Sequence, residues 1–112
     1  MSDVLDAEDA KLVTLARGAR GRIGAAQGAA IRDEMGRTYS GATVSSGALM
    51  LSALQLAVAQ AISAGSRGIE CAVVCGAPGV DDDISAVRDL AGAGVPVFQV
   101  GPDGSVRDRV MT

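Results

Sequence analysis

From Thr38 to Ser66 the chain carries no charged residue. Inside that stretch, Gly47–Ala64 consists of Ala, Leu, Val, Ile and Met with scattered Ser and Gln, and Gly65 follows it. The spacing predicts a helix over 47–64 that is apolar around most of its circumference. Such a helix is either buried on all sides or spans a membrane. A span needs ~20 predominantly apolar residues. Here Ser52, Gln55, Gln60 and Ser63 interrupt a run already shorter than that, with neither an aromatic belt nor a flanking Lys/Arg cluster. The expectation is a central helix of a soluble domain that forms an interface between copies of the chain, with no membrane partner.

The 112 residues suit a single domain (1–112), whose acidic first eight residues are expected to fray. Ala7 to about Arg22 places Leu12, Val13, Leu15, Ala16 and Ala19 at helical spacing, weakened by Gly18 and Gly21. Gly24–Ile31 and Arg37–Val44 flank Asp33-Glu34-Met35-Gly36 and read as a β-hairpin. The small residues of its first strand imply close packing by another element. Ile69–Gly76 is a continuous apolar run, typical of a strand covered on both faces. Gly76-Ala77-Pro78-Gly79 makes a loop, and Asp81-Asp82-Asp83 precedes a helix over 84–93. Val95–Val100 is a further buried strand, closed by Gly101-Pro102-Asp103-Gly104, and 105–112 is a polar tail or edge strand. The order α-β-β-α-β-α-β predicts an α/β fold, a three-layer α/β/α sandwich with a mixed sheet.

Composition narrows the chemistry. The chain has no His and no Trp, two Cys, one Tyr and one Phe. Every mechanism that needs an imidazole is excluded, including Ser-His-Asp hydrolysis and HExxH metal sites. Two cysteines alone do not complete a four-ligand structural zinc site. With a net charge of −3 and almost no aromatic surface, nucleic acid is not an expected partner. Residues 1–11 are acidic and lack the pattern of a secretory leader, and two thiols inside an apolar strand suit a reducing compartment. Cytoplasm is the expected location. The 48% hydrophobic content is mostly Ala, Val and Leu, which bury little area each, so oligomerisation is expected to supply further burial.

Four groups of side chains have both structural and functional readings. Cys71 and Cys75 lie four apart on one strand, facing the same side with Cα atoms ~13 Å apart, too far for a disulfide or one shared metal. They read as packing thiols, with Cys75 the candidate reactive one at the strand end. Asp81, Asp82 and Asp83 read as helix caps or, with further oxygen ligands, as a Mg²⁺ site. Thr38, Ser40, Thr43, Ser45, Ser46 and Ser52 form a hydroxyl cluster. They read as loop and cap residues, Ser45 or Ser46 capping the central helix, or as a neutral pocket for a polar ligand. Arg17, Arg20 and Arg22 read as cations near a helix C-terminus or as a small anion site.

The middle of the chain resembles the cytidine deaminase family. Gly28-Ala29-Ala30 matches the Gly-Ala-Ala of that family's first strand. The segment from Gly36 to Val44 is similar to its hairpin motif D-G-R-x-x-x-G-x-N-V-E-N. Ser52-Ala53-Leu54-Gln55 lies where the family has C-A-E-R. Ala57, Ala61 and Ser63-Ala64-Gly65 follow its helix, and Ala72-Val73-Val74 its third strand. The resemblance runs in register from Gly28 to Val74.

That resemblance implies the deaminase fold, a homo-oligomer (a dimer or tetramer) through the 47–64 helix, and a site emptied of its chemistry. Deamination in the family needs a zinc-bound water and a Glu to shuttle protons. In this register Ser52 takes the first zinc-ligand position and Leu54 the Glu position. The P-C-x-x-C motif would fall within 80–86, which holds no cysteine. Thr43 and Ser45, followed by Ser46, replace the ribose-contacting residues, and Ala25 replaces the stacking aromatic. The implied protein is a non-catalytic relative with no metal and no cofactor. Its vestigial pocket, lined by Thr43, Ser45, Ser46, Ser52, Leu54, Gln55, Cys75, Asp82 and Asp83, would suit a small polar ligand. The alternatives are an active hydrolase or deaminase variant with a rebuilt site, and a nucleoside sensor.

Overall fold

In the computed structural model, residues 5–77 and 84–112 are described. Helix α1 (Ala7–Ile23) starts at Asp6, whose side chain accepts from the Asp9 N–H at 2.8 Å. Asp6 was expected in a frayed end. It is held instead by that cap, with Glu8 and Asp9 in the positive first turn. Leu12, Val13, Ala16 and Ala19 form the buried face, and Gly24 ends the helix in the left-handed region (φ 62°).

The hairpin follows as expected. Strand β1 (Gln27–Asp33) pairs antiparallel with β2 (Thr38–Ala42), Ala30 opposite Ser40. Strand β5 (Ile69–Gly76) lies antiparallel on the other side of β1, Ala30 opposite Val73. Helix α3 (Ile84–Ala91) crosses over to β6 (Pro96–Val100), which runs parallel to β5. The expected helix 84–93 is shorter by two residues because Gly92, at φ 77°, closes it with its N–H on Arg88 O at 2.8 Å. Residues 106–111 are β7 (Val106–Met111), an antiparallel edge strand on β6. The five-stranded order is β2-β1-β5-β6-β7.

Side-chain alternation splits the core into two. Ala29, Ile31, Ala72, Val74 and Val97 face helix α2 (Ala53–Ser63) and α3, packing with Leu54, Ala57, Val58, Ala61 and Val87. Ala30, Cys71, Val73, Cys75, Phe98 and Val100 face Leu12, Val13 and Ala16 of α1. This is the expected three-layer α/β/α sandwich.

The central helix is shorter than its composition implied. Helix α2 spans Ala53–Ser63, not 47–64. Val44–Ser45 (β3) and Met50–Leu51 (β4) pair as a small hairpin, with Gly47 at φ 78° and the Ser46 N–H on Leu49 O at 3.0 Å. The apolar residues 48–51 therefore belong to a turn and strand. One face of α2 is buried, through Ala53, Leu54, Ala57, Val58 and Ala61, while Gln55, Ala59, Gln60, Ile62 and Ser63 are exposed. Burial on all sides does not hold within one chain. Among the described residues no helix is long and apolar enough to cross a membrane.

Candidate functional site

Thr43 and Cys75 lie where β1 begins and β5 ends, whereas Thr38 and Cys71 lie opposite Arg32 near the far end of β1, so the residues singled out from sequence do not form one cluster. Ser52 is the N-cap of α2: its Oγ accepts from the Gln55 N–H at 3.0 Å. Gln55 completes a reciprocal box, its Oε1 accepting from the Ser52 N–H at 2.9 Å. The cap was expected at Ser45 or Ser46. Those two lie on the β3–β4 hairpin instead, and the Ser45 hydroxyl donates to Met50 Sδ at 3.4 Å. The Ser-x-x-Gln spacing at 52–55 was the sequence signal for the true helix start.

Thr43 closes the end of the first hairpin. Its Oγ1 accepts from the Gln27 N–H at 3.1 Å and lies 3.3 Å from Gln27 O, to which it donates. Gln27 itself, buried and not foreseen from sequence, donates through Nε2 to Ala77 O and ties β1 to the exit of β5. Leu54 is 0% exposed and packs in the α2/α3 cluster. Cys75 lies across the sheet from Leu54, in the α1 cluster, with its thiol donating to Gly101 O at 3.4 Å. Burial pushes the Cys75 thiol up, against the pull of Arg20, Arg17 and Arg107. Cys71, on the same face, is pushed up to about 12 by burial and by Asp9. Both thiols are buried and disfavoured as nucleophiles. Asp82 and Asp83, with Asp81, lie outside the described residues.

A mixed sheet in the order β2-β1-β5-β6-β7, with α1 on one face and α2 and α3 on the other, is the frame into which a capped α2 N-terminus is set. The cytidine deaminase-like family model matches residues 5–104, and the chain belongs to that family. Its fold is similar to the cytidine deaminase of Burkholderia pseudomallei, with a TM-score of 0.72 at 23% identity over 91% of this chain and 89% of that one. It is also similar to the cytidine deaminase of Mycobacterium leprae, with a TM-score of 0.65 at 16% identity over 91% of this chain and 93% of that one. No curated protein matches the chain by sequence.

The family resemblance implies zinc at the start of α2, and the residues present do not fit it. The Ser52 oxygen is neutral and already accepts a backbone N–H. The chain has no histidine, and its two cysteines both face α1. Among the described residues no group of three or more His, Cys, Asp or Glu is placed to hold a metal ion.

The capping role gives a first prediction. Ser52→Ala should cost about 1 kcal/mol in denaturant unfolding, whereas Ser52→Asp, which also caps, should lose much less. Equal losses in the two variants would refute capping as the role of this hydroxyl.

Proposed function

We propose that the chain is a non-catalytic member of the cytidine deaminase-like family. It would act through self-association in a structural or regulatory role, or by holding a small polar ligand beside α2. The observation that carries this reading is the placement of Leu54. At the position where the resemblance puts a proton-shuttling Glu, an aliphatic side chain with no exposure fills the core between Ala53, Ala57 and Val87. Leucine transfers no proton, and no histidine exists elsewhere in the chain to substitute. Incubation with cytidine and with deoxycytidine in the presence of added zinc tests it. No uridine product above the buffer rate is expected. Conversion proportional to protein concentration and abolished by a chelator would overturn the reading.

Self-association is part of the same proposal. The outer flank of α2 carries no charge, and with Tyr39 of the edge strand β2 it lines a depression of about 440 Å³ between Leu56, Ala59, Gln60, Ser63 and Ala64. Ile62 of α2 is 55% exposed, and Leu49 and Met50 on the β3–β4 hairpin are 58% and 66% exposed. Exposed apolar side chains of this kind would suit a contact between copies. Light scattering should report a dimer or tetramer, and Ile62→Lys should shift it to monomer with unchanged circular dichroism. A wild-type monomer at high micromolar concentration would contradict this. Two free, buried thiols suit the reducing cytoplasm, which we take as the location.

A further inference from the structure

Three guanidinium groups converge where β5 and β6 end, on the α1 side of the sheet. Arg17 and Arg20 stand three apart, nearly one turn, on α1, and Arg107 comes from β7. Arg17 Nε donates to Pro102 O at 3.0 Å, Arg20 Nε to Ala26 O at 3.4 Å, and Arg107 Nη1 to Gly76 O at 3.4 Å. Each bond fixes its arginine while using one of five N–H donors. Glycines lie beneath them. A Cβ on Gly76 would stand 2.3 Å from Ala26 O and 3.0 Å from Arg20 Nε, one on Gly101 2.9 Å from Arg107 Nη2 and 3.0 Å from Asp103 Oδ1, and one on Gly104 3.3 Å from Arg17 Nη1.

None of these cations is closed off by an ion pair among the described residues, although Asp103 lies within electrostatic reach of Arg107. Among the described residues the ion pairs use Lys11, Arg32 and Arg37, and none of the three converging arginines has a carboxylate within 4.0 Å. The acid that reaches the group is Asp103, but its Oδ1 already accepts from the Ser105 N–H at 2.9 Å and the Ser105 hydroxyl at 2.7 Å. Buried Cys75 lies within electrostatic reach of all three cations and of Asp103. In a chain of net charge −3, three cations gathered on glycines is an arrangement that an anion would complete. Arg22 takes no part: its Nε bonds to Gly18 O within its own helix.

We propose that Arg17, Arg20 and Arg107 form a binding site for the phosphate group of a small molecule, above the C-terminal ends of β5 and β6. Several arginine forks present paired N–H donors to tetrahedral phosphate oxygens, and a dianion answers three cations better than a carboxylate does. The carboxyl ends of parallel strands are also where open α/β sheets take their ligands. This site lies across the sheet from Leu54 and does not depend on whether the chain deaminates anything.

The probes are inorganic phosphate and ribose 5-phosphate, titrated into the full chain by calorimetry at constant ionic strength with chloride as reference. Saturable binding is expected, with a matching rise in melting temperature. Arg17→Gln, Arg20→Gln and Arg107→Gln should each weaken it ~10-fold or more, and Arg22→Gln should leave it unchanged. Arg107→Lys, which keeps charge but loses the fork, should fall between. Tighter binding of the ester than of the free ion would identify an organic phosphate as the ligand, and equal binding would identify phosphate itself. Three results would overturn the proposal: no saturable binding, equal binding by the folded triple Gln variant, or binding that appears only when Asp81, Asp82 and Asp83 are all changed to Asn. The last would mean that the chain's own carboxylates answer the arginines.

Discussion

Gly28→Ala is expected to destabilise the fold by about 3 kcal/mol, lowering the melting temperature by roughly 10–15 °C. Helix α1 crosses β1 so closely that a Cβ on Gly28 would stand 2.1 Å from Ala16 O and 2.7 Å from the Arg20 N–H nitrogen. Both are backbone atoms of a helix, so no rotamer change relieves the clash and α1 must lift from the sheet. Lifting it opens the cluster of Leu12, Val13, Ala16, Val73 and Phe98. The same substitution at Gly18 or Gly21, in the same helix but with nothing within 4 Å of an added Cβ, should stabilise by about 0.5–1 kcal/mol. Denaturant unfolding of the three variants checks the claim, and opposite signs are the expected result. A Gly28→Ala protein as stable as wild type would mean that α1 does not lie this close to β1.

Asp33→Ala should cost about as much, near 3 kcal/mol. Asp33 is 0% exposed at the end of β1, and its carboxylate gathers four donors. Oδ1 accepts from the N–H groups of Met35 and Arg37, each at 2.9 Å. Oδ2 accepts from Arg37 Nε at 2.8 Å and the Ser66 hydroxyl at 2.6 Å. These bonds build the β1–β2 turn and join it to the segment that leads into β5. Removing the carboxylate strands a buried hydroxyl as well as two turn amides. Burial by itself would push this carboxyl up, but the Ser66 hydroxyl, the two backbone N–H groups and the Arg37 guanidinium hold it down at about 2, below its ordinary 3.8. A carboxylate lowered on folding stabilises fully above its unfolded value and loses that contribution as pH falls through its folded one. Wild-type stability should therefore decline between pH 3.8 and about 2 more steeply than that of Asp33→Asn. Parallel profiles for the two proteins would contradict the assignment.

Much of the fold is legible in the sequence because its signals are local and agree with one another. The apolar run 69–76 is a strand buried on both faces, the small residues of β1 do admit a close neighbour, and Gly65 follows the last turn of α2. The start of α2 was misread because residues 48–51 are as apolar as the helix that follows. Pairing of β3 with β4 around Gly47 is a tertiary choice, and hydrophobic content does not distinguish it from helix. Strand alternation places Cys71 and Cys75 on one face, but only the packed layers show that this face meets α1 and not α2. Arg107 carried no signal at all. It reaches Arg17 and Arg20 because β7 folds back along β6; the Gly101-Pro102-Asp103-Gly104 turn announces that hairpin, but not that α1 lies beside it.

The proposed loss of catalysis at the head of α2 rests on Ser52 serving as a cap, Leu54 as core, and both thiols lying on the α1 side. The most direct test is the zinc content of the chain, expressed without an affinity tag in zinc-supplemented medium and measured by mass spectrometry of the metal after desalting. Far less than one zinc per chain is expected, with no dependence on Ser52→Ala. One tightly held zinc per chain, lost in Ser52→Ala, would contradict a non-catalytic site.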